Sequence, residues 1–319
     1  MIKNNEFSEI LEIIELIIII LLGVAFITLA ERKIMGSMQR RKGPNLVGKF
    51  GIIQPLADGV KLFIKEIIIP LQSNKLFYII GPIITLFLSL IIYIPIPINY
   101  YIVISDNNYG ILYILAISSL SVYILLYSGW SSNSKYAFLG ALRSIAQLIS
   151  YEVSIGIILL SLLLLNDNFL YSKSFNILNI LYNQIYVCNI IPLLPLGILF
   201  FISAIAETNR PPFDLAEAES ELIAGYIVEY GGLTFAAIYL AEYAFIQSMS
   251  LLTSILFIGS TNPLIFTFFI FGFIWVRATL PRTKYIDLML LGWTKILPFS
   301  ISYLILSVSL FIFFNFTLF

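Results

Sequence analysis

The sequence predicts an all-α polytopic membrane protein, and three observations carry that reading. Of its 319 residues, 60% are apolar and only 11% charged, and its mean hydropathy is +0.97. The apolar residues fall into repeated runs long enough to cross a bilayer. The Lys and Arg residues collect in alternate connecting loops. In hydrocarbon a backbone must satisfy its own hydrogen bonds, so such runs fold as helices.

Eight spans are expected, over 10–30, 76–98, 111–128, 144–165, 190–207, 231–249, 255–276 and 296–316. The loops 31–75, 129–143, 207–230 and 277–295 carry all 18 Lys and Arg residues except Lys3 and Lys173. The positive-inside tendency puts these four loops inside and both termini outside. Glu6, Glu9, Glu12 and Glu15 lead into the first run without a basic flank or a small-residue cleavage site, so it reads as a first span and not a cleaved leader. With no soluble segment, convincing repeat or low-complexity linker, residues 1–319 read as a single integral membrane domain.

Composition narrows the function. Zero net charge suggests no nucleic-acid partner. There is no histidine and one cysteine, Cys188, which removes the usual ligands of zinc, haem, copper and iron–sulfur clusters, as well as disulfides and His-based triads. Any electron carriers therefore lie in other chains. Heavy use of Ile, Phe, Tyr, Asn and Lys without His fits an AT-rich, organellar gene.

The first inner loop opens ERKIMGSMQRRKGPNLVGKFG, with Arg32, Lys33, Arg40, Arg41, Lys42 and Lys49. Charge topology and anionic headgroups account for most of these, at about 1 kcal/mol each. Gly43 to Lys49 spells G-x-x-x-x-G-K, but Phe50 stands where a phosphate loop needs Ser or Thr, and no strand precedes it, so nucleotide binding is set aside. Further on, Leu56, Val60, Phe63 and Ile67 share a helical face, with Asp58, Lys61 and Lys65 turned away. That pattern predicts an amphipathic helix in the membrane interface, which either anchors the loop or roofs an opening for a lipid-soluble ligand.

In the second inner loop Trp130 and Tyr136 suit an interfacial aromatic belt, and Lys135 and Arg143 suit the charge rule. Glu152 lies inside the fourth span, where an acid requires a partner or water; pairing with an Arg of another helix is the plainer alternative.

The third inner loop holds the densest chemistry. ETNRPPFDLAEAESE places Glu207, Asp214, Glu217, Glu219, Glu221 and Arg210 directly after an apolar run. Pro211 and Pro212 cannot continue the arriving helix, which should stop near Glu207. Asp214 and Glu217 have capping-box spacing, so a new helix should begin there, with Asp214, Glu217 and Glu221 on one face and Glu219 elsewhere. A solvated helix start, favoured by the helix dipole, would explain these acids alone. Glu229, two turns beyond Glu221, and Glu242, inside the next apolar run, point instead to a polar path, because carboxylates among hydrocarbon must be neutral, paired or wet. The last inner loop has Arg277, Arg282, Lys284 and Lys295, with Asp287 available to pair.

Taken together, ERK(I)MG…QRRKGPN…QPLADGVKLFIKE, GW…SN…KYA…GALR…AQ…SYEV, AETNRPPFDLAEAESELIAGY…EY, AEY and WVRA…PR…KY…LM…W resemble the chain 1 family of respiratory complex I, the proton-pumping NADH:ubiquinone oxidoreductase. The resemblance runs in order from Glu31 to about Lys295. It implies a membrane subunit between the hydrophilic redox arm and the membrane arm that walls the quinone tunnel. Two hydrophilic-arm subunits would close the tunnel, one carrying the terminal iron–sulfur cluster, with small membrane subunits and lipids alongside. Loop 31–66 would frame the entrance, and loop 207–221 would begin an acidic passage toward the pumping subunits.

The matching passage acids are Glu152, Glu207, Asp214, Glu217, Glu219, Glu221, Glu229 and Glu242. Arg32, Lys33, Arg143, Arg210, Phe213 and Arg277 match tunnel positions. Ubiquinone would be the substrate; no cofactor is expected on this chain, with FMN and iron–sulfur clusters in partner subunits. The implied location is the mitochondrial inner membrane, with inner loops in the matrix and both termini on the intermembrane-space side. Two departures stand out: Ile286 separates Tyr285 from Asp287, and Thr294 separates Trp293 from Lys295. A one-residue shift turns a helical side chain by about 100°, so no role is carried to Asp287 or Lys295.

On this reading, quinone reduction creates a demand for protons or an anionic species, and closely spaced acids respond as a coupled set. A self-contained proton- or cation-coupled transporter is the second reading, weakened by the lack of paired interrupted helices in corresponding halves. A passive scaffold is the third, and it would tolerate neutral residues at the intramembrane acids.

Overall fold

The computed structural model describes residues 2–99, 103–165, 175–185, 187–214 and 225–317. Its helices are α1 (Ile2–Met38), α2 (Gln54–Ile64), α3 (Lys75–Ile91), α4 (Gly110–Ser131), α5 (Lys135–Leu165), α6 (Ile177–Asn183), α7 (Leu194–Glu207), α8 (Leu233–Thr253), α9 (Pro263–Thr279), α10 (Tyr285–Leu290) and α11 (Leu297–Thr317). Five helical stretches are long and apolar enough to cross a membrane, and α3, α7 and α9 are shorter apolar helices. The eight expected runs are therefore all helical. The interfacial helix appears as α2, which buries none of its residues.

Several boundaries differ from the sequence reading. Helix α5 starts at Lys135 and not at 144, because KYAFLGALR contains no proline and its one glycine, Gly140, is carried within the helix where the backbone of Gly225 packs close against it. The division between the sixth and seventh runs falls later than expected. A wide helical turn over Ser254–Ile258 prolongs α8, Gly259 ends it in the left-handed region at φ 68°, and α9 begins at Pro263. Hydropathy averages across that break because Ile255 to Ile258 are as apolar as a span. Helix α3 ends at Ile91, ahead of Pro95 and Pro97, and α2 ends at Ile64, so Ile67 lies beyond the amphipathic helix.

Helices α8 and α5 are central: 72% and 61% of their apolar windows are buried, against 22% for α1. Ile155, Ile158, Phe200, Leu252 and Ile255 pack in the core between them. Peripheral apolar side chains, including Ile19, Phe87, Tyr123 and Ile305, face outward, as burial in hydrocarbon requires.

The loops sort to two ends of the bundle. At one end Asn74 N–H donates to Ser131 O at 3.1 Å, Asn133 Nδ2 to Gln72 O at 3.1 Å and Thr283 N–H to Pro212 O at 3.1 Å. All four Lys- and Arg-rich loops meet there. Gly232 opens α8 at φ 62°, and a Cβ on it would stand 2.8 Å from Lys65 O, so glycine permits α2's trailing segment to lie against α8. At the opposite end Ile111 N–H donates to Phe175 O at 3.2 Å, and Ile190 N–H to Phe257 O at 2.8 Å; Cys188 lies on that side, half-buried.

Candidate functional site

The acidic loop starts from a defined helix end. Asn209, at φ 49°, takes the left-handed conformation that Asn tolerates. Arg210 N–H reaches Ile205 O at 3.4 Å and Asn209 N–H reaches Ala206 O at 3.3 Å, the paired bonds of a Schellman end. Asn209 therefore stops α7, and Pro211 and Pro212 lie beyond the stop. The buried Gln147 of α5 holds the loop at both ends, donating to Ala206 O at 2.8 Å and Phe213 O at 2.9 Å. The Thr283 hydroxyl donates to Pro212 O at 3.3 Å, and Arg282 pairs with the buried Asp214 at 3.2 Å. The last inner loop, uninformative by itself in sequence, thus braces the acidic one.

Arg210 leads from this loop into a buried cluster. Its guanidinium stands 3.8 Å from Glu31 Oε1 and 4.2 Å from the centre of the Tyr243 ring, a cation–π distance. Arg277, from the end of α9, also pairs with Glu31. The Tyr243 hydroxyl donates to Glu31 Oε2 at 2.5 Å. One carboxylate from α1 therefore sits between two guanidiniums, beside a cavity of about 20 Å³.

Glu207 faces a different space. It lines a cavity of about 50 Å³ together with Glu242, Tyr226, Thr85, Ser118 and Ser121. That volume is large enough to hold water, and its lining supplies the several polar partners a buried water needs. The Tyr226 hydroxyl donates to Glu242 Oε1 at 2.8 Å. Glu207 Oε2 is buried and has no hydrogen-bond partner among the described residues. Glu207 and Ser118 also border a second cavity, of about 20 Å³, and Glu152 of α5 lies within electrostatic reach of Glu207.

The two spaces share no lining residue, but α8 and the turn over 207–210 border both. Glu207, the last residue of α7, and Arg210, three residues on, enter different clusters, and Glu242 and Tyr243 are neighbours on α8. Successive helical residues point about 100° apart, so α8 presents an acid to one space and a phenol to the other.

The remaining sequence candidates are placed less centrally. Glu229 is half-buried, and its backbone carbonyl accepts from the Tyr78 hydroxyl. Glu217, Glu219 and Glu221, with the helix expected to begin at Asp214, lie outside the described residues. Arg32 is exposed and pairs with Asp58 of α2 at 2.6 Å, fastening the amphipathic helix to the end of α1, with the half-buried Lys33 beside it. Arg143 lies 5.9 Å from the Tyr285 ring centre, and the Phe213 ring is 6.2 Å from that of Tyr151. Asp287 and Lys295 are exposed, and Asp287 makes no ion pair among the described residues.

Sequence reading missed Glu31, Gln147, Tyr226 and Tyr243. Glu31 had a signal: it is an acid at the inner end of a long apolar run, one residue past the end of the first expected span. Gln147 had none, since a neutral amide inside a helix shows nothing of the two carbonyls it meets.

Comparison with known proteins bears on this arrangement. A family model described as NADH dehydrogenase matches residues 11–308. The chain is 50% identical over 325 residues to NADH-ubiquinone oxidoreductase chain 1 of Chondrus crispus, covering 97% of this chain and 98% of that protein. It is 49% identical to NADH-ubiquinone oxidoreductase chain 1 of Metridium senile, covering 94% and 92%. A bacterial relative, the corresponding component of the NADH-quinone oxidoreductase of Paramagnetospirillum magneticum, is 48% identical, covering 94% and 91%. With identity near one half along almost the whole chain, this protein belongs to the chain 1 family of NADH:quinone oxidoreductase, a core membrane component of complex I.

Proposed function

We propose that this chain forms the quinone-binding tunnel and the acidic passage of a proton-pumping NADH:ubiquinone oxidoreductase in the mitochondrial inner membrane. It acts as one integral membrane domain, with its basic loops toward the matrix and both termini toward the intermembrane space. The observation that carries the reading is the placement of Arg210 and Glu207. The braced end of α7 and the turn after it send a carboxylate with an unmet oxygen into a water-sized cavity and a cation into an aromatic-walled basic cluster.

In the proposed mechanism, ubiquinone takes two electrons and two protons to become quinol. NADH would supply the electrons, relayed through FMN and iron–sulfur clusters in partner subunits. Arg32 and Lys33 near α2, Arg143, and Arg210 with Phe213 and Arg277 line the route of the quinone. Negative charge arising on the quinone attracts the guanidiniums and weakens their hold on Glu31. Arg210 then pulls on the loop that Gln147 and Thr283 brace, which alters the surroundings of Glu207. Protonation and hydration pass from Glu207 and Glu152 to Glu242 through the hydroxyl-lined cavity, with Asp214, Glu217, Glu219, Glu221 and Glu229 continuing the acidic set. Closely spaced acids of this kind titrate together and not singly.

Mild detergent extraction, native-gel separation and staining for NADH oxidation test the assignment. The 36.1 kDa chain should migrate in a very large band that oxidises NADH. Migration alone or as a small homo-oligomer from undamaged membranes, without that activity, would favour a self-contained transporter.

A further inference from the structure

The polar cavity that holds Glu207 and Glu242 adjoins an apolar one, and the lining changes character at one level on the helices that wall them. Helix α4 runs toward the basic end of the bundle. It gives Ile111, Ile114 and Leu115 to the apolar cavity, Ser118 to both, and Ser121 to the polar one. Helix α8 runs the other way. It gives Glu242 to the polar cavity, Met249 to both and Leu252 to the apolar one, which Leu256 of the wide turn also lines. Leu159 of α5 and Phe200 of α7 complete the apolar walls, and Glu207, at the end of α7, borders both spaces.

The apolar column has a measurable depth. Ser118 lies seven residues beyond Ile111 on α4, and Leu256 lies seven beyond Met249 on α8 and its wide turn, about 10 Å in each case. Polar groups return past Leu256. There Gln184 Nε2 and Asn189 Nδ2 donate to Leu256 O at 3.1 Å and 3.0 Å, and Gln184 Oε1 is buried without a hydrogen-bond partner among the described residues.

The chemistry of the walls keeps this column dry. Its volume of about 20 Å³ would admit a water by size, but its polar lining is confined to Ser118 and Glu207 at one mouth. The Ser118 hydroxyl already donates to Leu115 O at 3.0 Å. A buried water needs two to four polar partners, and apolar cavities stay empty of it. A proton hops between groups about 2.8 Å apart, so a gap of about 10 Å would need a file of about three waters. Ile114, Leu159 and Leu252 offer such a file no partner.

We propose that this column is a proton seal, which keeps protons held at Glu207 and Glu242 from reaching the membrane face opposite the basic loops. They then return to the basic end or pass within the plane of the membrane. The inference rests on the reading of Glu207 as a proton carrier and adds the barrier that such a carrier requires.

Proteoliposomes of the purified complex, loaded with a pH-reporting dye and given an acid jump without NADH, test the seal. Leu252→Asn sets an amide midway along the column, with a gap of about one water on either side. Passive proton flux should rise about tenfold over wild type, the scale of one hydrogen bond to a charge read as a rate. Leu159→Asn repeats the test from α5 and serves if Leu252→Asn fails to assemble. Leu252→Met, which keeps the column apolar at similar volume, should hold the gradient as wild type does. So should Ile158→Asn, at a buried position of α5 that does not line the column. Amounts of assembled complex on a native gel are matched first. No rise with Leu252→Asn or Leu159→Asn, or an equal rise with Ile158→Asn, would overturn the seal. Flux is read at rest and the relay under turnover, so the two fail separately. Normal pumping by Glu207→Gln would contradict the relay whatever the flux, and a tight membrane with both column variants would contradict the seal whatever the pumping.

Discussion

The Tyr243 hydroxyl donates to Glu31 Oε2 at 2.5 Å across 212 positions of sequence, joining α8 to α1 at the point where Arg210 and Arg277 converge. Glu31 is the carboxylate that these two guanidiniums share. Replacing it with Gln leaves two cations facing each other in a buried space. Losing one partner of a buried pair costs about 3–5 kcal/mol, and the 32% exposure of the Arg277 side chain lowers this to about 2–4 kcal/mol. Thermal inactivation of NADH:quinone reduction should show Glu31→Gln far less stable than wild type. Tyr243→Phe, which removes one hydrogen bond to a charge, should cost about 1.5–3 kcal/mol.

Gln147→Leu keeps the side chain's size while releasing the carbonyls of Ala206 and Phe213. Leaving buried acceptors unmet costs about 1–3 kcal/mol each. Hydrogen exchange over 207–214 should quicken in this variant while the amides of α3 and α4 exchange as before.

Arg282→Ala makes a contrast. Its pairing with Asp214 is at 3.2 Å, but the Arg282 side chain is 42% exposed, and water screens such a pair to about 0.2–1 kcal/mol. Thermal stability should scarcely change. A loss as large as that of Glu31→Gln would show that Arg282 bears structural load beyond this pair.

Cys188 tests the orientation. It is the only thiol in the chain and lies at the end of the bundle opposite the basic loops. An impermeant maleimide should label it from the intermembrane-space side in intact inner-membrane vesicles. Labelling from the matrix side alone would invert the topology.

The fold class was legible because hydropathy runs and loop charge are one-dimensional properties. Eight apolar runs and one amphipathic segment became helices. The breaks within apolar sequence were harder to see, since Gly259 and Pro263 stop a helix through backbone geometry while their neighbours stay as apolar as a span. The acids at Glu152, Glu207 and Glu242 stood out because charge is rare in such a chain. Arg210 stood out as well, but its destination did not: nothing in ETNRPPFD shows that Glu207 and Arg210 enter different spaces. That separation comes from Asn209 turning the chain and Gln147 holding both sides of the turn. Glu31 carried a signal, an acid at the inner end of an apolar run, but the adjacent cations Arg32 and Lys33 let charge topology account for it.

Glu207→Gln tests the central claim most directly, with quinone reduction and proton pumping measured on the purified complex in proteoliposomes. The side chain keeps its size and loses its charge, so the complex should assemble in normal amount. The account predicts that coupled turnover falls by about tenfold or more, equivalent to about 1.4 kcal/mol on the rate-limiting step, while NADH oxidation by a water-soluble acceptor is unaffected. Normal quinone reduction with normal pumping would contradict a role for Glu207 in coupling.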